Sequence, residues 1–366
     1  MERYLIMSDG TVYCGEAIGA SGTVIGEAVF TTAMCGYLLT LTDPSYYGQI
    51  VTQTFPLIGN YGVIEADAES DKPYLSGYIV RELCDVGSNS RKECEMDEYL
   101  KRHGVVGIAG IDTRALTRKI RENGVMGAMI TDDKNDLENK LKVIKAFRVE
   151  KAVENTSCKA IRELNPVDAE HKYRVVLYDF GAKYNIERLL IKYGCSVTLV
   201  PHDTTAEEVL KLKPDGIMLS NGGGDPADNV EIIAQIRKLV ERKIPIFGIC
   251  LGHQLLALAS GAKTIKLKYG HRGANQPVKD VETGRTYITS QNHGYAVDAA
   301  TVDGNIAKVR YVNANDKTVE GIDYLNAPAF SVQFHPEACG GPKDTEYLFK
   351  RFVKLMEGNY NGRKAL

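Results

Sequence analysis

The chain has 366 residues, with 45 basic and 47 acidic side chains and a formal net charge of −2. This length favours two domains, each with a core of its own. The balanced charge gives no sign of a polyanion-binding surface, so we expect no nucleic-acid partner.

The eight cysteines are scattered along the chain and form no C-x-x-C pair. This pattern predicts neither a disulfide framework nor a zinc site, and it is typical of a reducing compartment. The first residues lack the pattern of a signal peptide, and no apolar run is long enough to cross a bilayer. We therefore expect a cytoplasmic protein with no metal and no membrane partner.

Residues 1–130 contain short alternating apolar runs separated by glycines, and such runs predict strands. The dipeptide Asp9-Gly10 lies between the first two runs and predicts a hairpin turn. The segment EMDEYLKRH predicts a short amphipathic helix over 95–103.

The segment GIDTRALTRKIRENG predicts a helix that is capped by Asp112 or Thr113 and ends before Gly124. Beyond it, the chain becomes polar and charged with weak periodicity, and we expect no strand in the segment KAVENTSCKAIRELNPVDAEHKY. The predicted organisation is a strand-rich N-terminal domain over 1–150, a linker over 151–172 and a C-terminal domain over 173–360.

Strands and helices alternate from residue 173 onwards. The predicted strands are YRVVLYDF, CSVTLV, DGIMLS and IPIFGI, and the predicted helices between them are KYNIERLLIKYG, TAEEVLKLKP and NVEIIAQIRKLVERK. This alternation predicts an α/β fold with a mostly parallel sheet that helices cover on both faces. Further strands are predicted after residue 285, and TEYLFKRFVKLME predicts a final helix.

Three loops, 221–226, 248–252 and 335–337, follow predicted strands, and parallel strands carry ligands at their carboxyl ends. The second loop, Gly248-x-Cys250-x-Gly252, has the form of a nucleophile elbow with cysteine in place of serine. Unpaired N–H groups at the start of the following helix favour the thiolate. The alternative is a buried cysteine that only packs.

A thiolate nucleophile needs a base, and the base needs a group that orients it. The segment VQFHPE places His335 after an apolar strand and Glu337 two residues later, which suits both roles. The alternative is a surface histidine beside an unrelated acid, and His253, His271 and His293 are rival bases. The loop SNGGGDP offers consecutive backbone N–H groups for an oxyanion, or merely closes a turn.

Four of these segments, FGICLGHQLLALA, NGGGDP, SQNHGYAV and VQFHPE, together resemble a class I, triad-type glutamine amidotransferase domain. The N-terminal segments TTAMCGYLLTLTDPSYYGQIVTQTFPLIGNYG and GIDTRALTRKIRENGVMGAMI, with LYDFGAKYNIERLL, resemble the small, glutamine-hydrolysing subunits of carbamoyl phosphate synthetases. The resemblance covers nearly the whole chain. It implies a class I amidotransferase fold in the C-terminal domain.

The resemblance also implies the roles of single residues. Cys250 would be the nucleophile that forms a γ-glutamyl thioester, His335 the base and then the acid, and Glu337 the group that orients His335. Backbone N–H groups of Leu251 and Gly222 would bind the oxyanion. L-Glutamine would be bound by Ser45, Gly224, Gln254, Asn292, Gly294 and Tyr295. Two positions depart from the family: Gly223 replaces a common proline, and Tyr295 stands where phenylalanine is frequent.

No ATP-grasp or P-loop signature is present, so the resemblance implies no cofactor in this chain. ATP, Mg²⁺ and bicarbonate would belong to a large synthetase subunit, which receives ammonia and makes carbamoyl phosphate for arginine or pyrimidine biosynthesis, or for both. The N-terminal domain would then dock this partner. Two alternatives remain: a stand-alone cysteine hydrolase that acts on γ-glutamyl or peptide bonds, and a non-catalytic scaffold on an amidotransferase fold.

Overall fold

The structure is a computed structural model that describes residues 1–164 and 172–364, with side chains described up to residue 358. The chain divides into two compact units, Met1–Ala152 and Val153–Leu366. Part of the predicted linker, residues 165–171, lies outside the described residues, and the predicted domain limits stay a prediction.

The first unit is built around a barrel. Its helices are α1 (Tyr37–Leu41), α2 (Met96–Arg102), α3 (Thr113–Asn123) and α4 (Leu137–Ala146). Its strands are β1 (Glu2–Met7), β2 (Val12–Gly19), β3 (Val24–Thr31), β4 (Gln49–Gln53), β5 (Leu57–Ile58), β6 (Gly77–Ile79), β7 (Glu82–Leu83), β8 (Val106–Ala109) and β9 (Met126–Thr131). The barrel closes in the order β1-β2-β8-β6-β4-β3-β9, while β5 and β7 form a separate pair.

Several local predictions for this unit are confirmed. Strands β1 and β2 pair antiparallel with Ile6 opposite Val12, which places the predicted turn between them. Helix α2 lies within the predicted segment, and α3 has Asp112 as its N-cap and Gly124 after its last residue. The Asp112 side chain accepts a hydrogen bond from the Ala115 N–H, which satisfies one of the unpaired donors of the first turn.

One buried cation holds the barrel wall together. The Arg3 side chain is 1% exposed and pairs with Asp132 at 2.6 Å. Its guanidinium also donates to the backbone oxygens of Ile18 at 2.9 Å and Gly107 at 2.8 Å. A guanidinium without such acceptors would not remain buried, so these contacts connect β1 to β2 and β8.

The second unit contains one large sheet with helices on both faces. Its strands are β10 (Arg162–Leu164), β11 (Tyr173–Phe180), β12 (Cys195–Pro201), β13 (Gly216–Gly222), β14 (Ile246–Ile249), β15 (Thr264–Asp280), β16 (Thr286–Val297), β17 (Ala307–Asn313), β18 (Val319–Tyr324) and β19 (Ala329–Val332). The helices are α5 (Ala152–Thr156), α6 (Tyr184–Lys192), α7 (Ala206–Lys211), α8 (Val230–Glu241), α9 (Leu251–Ala259) and α10 (Tyr347–Lys364).

The strand order is β10-β12-β11-β13-β14-β19-β18-β17-β15-β16. Pairing is parallel from β12 to β19, and the strands beyond them pair antiparallel. One core cluster contains side chains of α7, α8 and α9, and another contains those of α6 and α10. The predicted α/β class, with helices on both faces of the sheet, is therefore confirmed.

Among the elements that differ from expectation, three are informative. Strand β15 was not predicted: its first residues alternate apolar and polar side chains as far as Tyr269, but Gly, Asn, Gln and Pro interrupt the pattern beyond them. Helix α4 was not predicted, because only Ile144 of its residues is buried. The expectation of no strand near the linker is wrong, since β10 pairs antiparallel with β12 through Arg162–Leu164. An edge strand this short carries too few residues to show a pattern.

Among the described residues, no helix is both long and apolar enough to cross a membrane.

Candidate active site

The predicted elbow lies between β14 and α9. Cys250 has φ 52° and ψ −102°, a strained backbone for a residue that is not glycine. A Cβ atom on Gly248 would lie 2.7 Å from the Gly252 oxygen, and one on Gly252 would lie 2.3 Å from the Leu219 oxygen. Both glycines are therefore required by the close approach of backbone, as the sequence pattern predicts.

Cys250 sits at the start of α9 on the carboxyl side of the parallel sheet. Its N–H donates to the Val332 oxygen at 2.8 Å, and its Sγ lies 3.7 Å from the Asn292 oxygen. The residue is only 2% exposed, which alone would also suit a packing cysteine. The strained backbone favours a functional role, because strain of this kind persists mainly where the surrounding structure needs that conformation.

His335 and Glu337 form a buried pair beside Cys250. The His335 Nδ1 lies 2.6 Å from Glu337 Oε1, and the two side chains are 1% and 0% exposed. Within the described part of the chain, His335 Nε2 makes no hydrogen bond of normal geometry. The ring nitrogen that does not contact the carboxylate is thus available to the sulfur or to a substrate.

The electrostatic surroundings favour a charged His335. Burial and the nearby Lys183 both lower the pKa of His335, but the negative charges of Glu337 and the Cys250 thiolate outweigh them and raise it to about 10. Burial raises the pKa of Glu337, yet the His335 charge outweighs burial, so its pKa is lowered overall. These directions support an imidazolium on His335 that is held by the Glu337 carboxylate.

Lys183 was not assigned a role from the sequence. Its Nζ lies 3.3 Å from His335 Nδ1 and 3.6 Å from Glu337 Oε1, and its side chain is 13% exposed. Nearby, the Asn185 side-chain amide donates to the Glu337 backbone oxygen. Both residues follow the carboxyl end of β11, and a polar residue at such a position was the signal that could have identified them.

The rival histidines do not occupy the position of the base. His253 contacts Ser331 Oγ at 2.8 Å through Nδ1, and burial lowers its pKa to about 3. His271 and His293 contact each other at 3.2 Å. These two histidines and Glu320 are the one group among the described residues whose side chains could together hold a metal ion.

The structure brings several predicted glutamine-binding residues near each other. The Gln254 side-chain amide donates to the Tyr295 oxygen at 2.8 Å and to Gln333 Oε1 at 2.8 Å. A Cβ atom on Gly222 would lie 2.7 Å from Leu251 Cδ2, so the two predicted oxyanion donors are neighbours.

The other predicted contacts lie on three elements. Asn292 and Gly294 are on β16 with Tyr295, and Gly224 has φ +87° in the loop after β13. Ser45 lies in the first unit, within the 3₁₀ turn Pro44–Tyr46, and its N–H donates to Asp43 Oδ1 at 2.9 Å. The binding role of each of these residues stays a prediction.

Comparison with known proteins agrees with this geometry. Residues 176–355 match the family model of class-I glutamine amidotransferases, and residues 5–130 match that of the carbamoyl-phosphate synthase small chain, CPSase domain. The chain is 49% identical over 363 residues to the carbamoyl phosphate synthase small chain of Listeria monocytogenes, an alignment that covers 99% of this chain and 98% of the relative. The chain belongs to the carbamoyl phosphate synthase small-chain family.

A second member of this small-chain family, from Fusobacterium nucleatum, is 51% identical over 358 residues, covering 98% of this chain and 99% of the relative. The small-chain family model covers most of the barrel unit, and the amidotransferase model covers the sheet that carries Cys250, His335 and Glu337. The resemblance inferred from the sequence motifs is therefore confirmed.

Proposed function

We propose that this small chain is the glutaminase subunit of a glutamine-dependent carbamoyl phosphate synthetase. The observation that carries the proposal is the buried His335–Glu337 contact at 2.6 Å, next to a cysteine held at a strained turn. A nucleophile, a base and an orienting carboxylate are the groups that hydrolysis of an amide through a thioester requires.

In the first half of the reaction, the Cys250 thiolate attacks the side-chain carbonyl carbon of L-glutamine. The oxygen becomes an oxyanion that accepts hydrogen bonds from the N–H groups of Leu251 and Gly222. The first N–H groups of a helix have no intrahelical acceptor, so the Leu251 N–H is free for this role. The His335 imidazolium then donates its proton to the leaving nitrogen, the C–N bond breaks, and ammonia departs.

In the second half, a water molecule attacks the γ-glutamyl thioester. Neutral His335 takes a proton from that water and so becomes the imidazolium again. The C–S bond then breaks, which regenerates the Cys250 thiolate and releases glutamate, whose new carboxyl group loses the second proton of the water to solvent. Glu337 holds the ring through Nδ1 in both steps, so that Nε2 carries the transferred proton. The products are glutamate and ammonia, and atoms balance without any cofactor in this chain.

We further propose that ammonia passes to a large synthetase subunit, which holds ATP, Mg²⁺ and bicarbonate and makes carbamoyl phosphate in the cytoplasm. Free ammonia in water becomes protonated and loses its nucleophilicity, which favours transfer within a closed complex. The first unit contains no comparable catalytic group in our proposal, so we assign it to docking of the partner, with Ser45 as its contact to glutamine.

Two alternatives differ in measurable ways. A stand-alone cysteine hydrolase would reach full turnover without a second chain. A non-catalytic scaffold would show no turnover with any partner, and the presence of Cys250, His335 and Glu337 argues against it.

The test replaces the nucleophile. Cys250→Ser in the complex with the large subunit should abolish glutamine-dependent synthesis of carbamoyl phosphate and leave ammonia-dependent synthesis at the wild-type rate. Cys195→Ser is a matched control, since Cys195 is also a buried free thiol but lies in β12. Glutaminase activity that survives in Cys250→Ser would contradict the proposal.

A further inference from the structure

We propose that His271, His293 and Glu320 form a binding site for a divalent transition-metal ion of the zinc class. The three residues lie on β15, β16 and β18, so the site would connect three strands of the antiparallel part of the sheet. The inference goes beyond the proposed glutaminase, because none of its three ligands is assigned to that chemistry, although His293 lies between the proposed glutamine-binding residues Asn292 and Gly294.

The spacing of the ligand atoms fits one ion. His271 Nδ1 lies 3.2 Å from His293 Nε2, and Glu320 Oε1 lies 3.5 Å and 4.0 Å from these two nitrogens. Zinc ligands at about 2.0–2.2 Å from a tetrahedral ion are separated from one another by about 3.3–3.5 Å. The triangle of donor atoms therefore matches a face of that tetrahedron with shifts of only a few tenths of an ångström.

Each histidine is held in the tautomer that a metal requires. His271 Nε2 lies 2.8 Å from Asp316 Oδ2, so it carries the proton and leaves the Nδ1 lone pair free. His293 Nδ1 lies 2.7 Å from the Tyr295 backbone oxygen, which can only accept, so the His293 Nε2 lone pair is free. A carboxylate or a backbone carbonyl behind each ligating imidazole is the usual outer shell of a protein metal site.

The centre of the cluster is surrounded by acceptors. Besides the two lone pairs and Glu320 Oε1, Gln291 Oε1 lies 3.0 Å from His293 Nε2. The orientation of that amide is set by its Nε2, which donates to Glu320 Oε2 at 3.0 Å. Converging acceptors repel one another unless a positive charge lies between them, and a metal ion supplies it while Gln291 offers a fourth oxygen.

Burial and charge agree with a metal of this class. The side chains of His271, His293 and Glu320 are 11%, 2% and 0% exposed. A dication would be balanced by the carboxylates of Glu320 and Asp316. Imidazole nitrogens suit zinc, copper, nickel and iron better than calcium or magnesium.

The competing explanation of this cluster is that a proton on His271, rather than a metal ion, supplies its positive charge. His271 would then be an imidazolium between Glu320 and Asp316 that donates from Nδ1 to His293. The two explanations differ in whether the protein takes up metal, which is directly measurable.

The test uses the whole chain in a Cys250→Ala background, so that the candidate nucleophile cannot bind the probe. The protein is treated with chelator, incubated with Co²⁺ or Zn²⁺ and freed of excess metal. Bound metal is counted by mass spectrometry, and the Co²⁺ absorption spectrum reports the ligands. Glu320→Gln removes the charge of one ligand, and Asp316→Asn changes the partner of His271 without removing a ligand. His103→Asn replaces a histidine of the first unit and is the control.

We expect one equivalent of metal, tetrahedral Co²⁺ bands without a sulfur charge-transfer band, and a higher Tm with Zn²⁺. Glu320→Gln should lose the metal and the Tm shift, Asp316→Asn should bind about 10–100-fold more weakly, and His103→Asn should bind as the parent does. Asp316→Asn keeps the test decisive if Glu320→Gln fails to fold. Equal metal uptake by parent and variants, no uptake, or a sulfur-ligated spectrum would overturn the proposal.

Discussion

Replacing Glu337 with glutamine tests the electrostatic arrangement of the candidate site. The carboxylate lies 2.6 Å from His335 Nδ1 and both side chains are buried, so solvent screens their interaction little. Loss of an opposite charge at such a distance lowers a pKa by about 1–3 units, each unit corresponding to about 1.4 kcal/mol. Glu337→Gln should therefore weaken the His335 imidazolium by about 1.4–4 kcal/mol and lower kcat/KM about 10–1000-fold.

The pH dependence gives the sign of the effect. In the native protein the pKa of His335 is raised to about 10, where burial and Lys183 oppose the shift and Glu337 and Cys250 cause it. The acid that protonates the leaving nitrogen is therefore present below that pH and is lost as pH rises through it. In Glu337→Gln the alkaline limb of kcat/KM should move to lower pH.

The assay is steady-state release of ammonia from glutamine over a pH series, in the complex with the large subunit. Glu346→Gln is the control, because Glu346 pairs with the exposed Lys192 on the surface of the same unit. We also expect Glu337→Gln to be milder than His335→Asn. An unmoved alkaline limb, or a loss in kcat equal to that of His335→Asn, would refute an orienting and charge-stabilising role for Glu337.

Three further substitutions test separate parts of the structure. Lys183→Met removes a positive charge 3.3 Å from His335 Nδ1, so the alkaline limb of kcat/KM should move up by about one unit in the same pH series. Gly252→Ala places a Cβ 2.3 Å from a backbone oxygen of β13, and Tm measured by circular dichroism should fall by roughly 2–10 °C. Arg3→Met removes a guanidinium that is 1% exposed and leaves two backbone oxygens without their donor. The free energy of unfolding in urea should fall by about 2–3 kcal/mol. The loss stays below that of a fully buried ion pair because Asp132 is partly exposed to solvent.

Two of these substitutions have a matched control, and each of the three has a contradicting result. Arg91→Met removes an exposed pair with Asp67 and should change unfolding by less than about 0.5 kcal/mol. Gly261→Ala meets no atom within 4 Å and lies at a φ of +94°, so it tests backbone strain without steric contact, whereas Gly252 lies inside α9 and tests steric contact. A shift of the alkaline limb to lower pH in Lys183→Met would contradict the effect that we assign to the Lys183 charge. An unchanged Tm in Gly252→Ala, or an unchanged free energy of unfolding in Arg3→Met, would contradict the contact that we assign to that residue.

The parallel part of the fold was predictable because its signals are local. Buried strands such as β13 and β14 contain short apolar runs, and α6 and α8 carry apolar stripes at helical spacing. The antiparallel extension was less predictable. Strand β15 is exposed along much of its length, and it is held by pairing with β16 rather than by an apolar face of its own.

The candidate site likewise contains residues that the sequence predicts and residues that it does not. Cys250 and its flanking glycines were predictable, because the steric demands of a sharp turn restrict the residue types there. Lys183 was missed, since its contact with His335 joins residues 152 positions apart and the sequence signals it only by its place after the carboxyl end of β11. The His271, His293 and Glu320 cluster was missed for a similar reason: its ligands come from three strands, and the 22-residue separation of the histidines is no metal-binding motif.

The most direct measurement of the central claim is the covalent state of Cys250 during turnover. The complex is mixed with labelled glutamine, quenched in acid within the steady state and digested, and the peptides are analysed by mass spectrometry. We expect one labelled γ-glutamyl group on the peptide that contains Cys250, and none in Cys250→Ser. Turnover of glutamine with that peptide unmodified, or with the label on another cysteine, would contradict it.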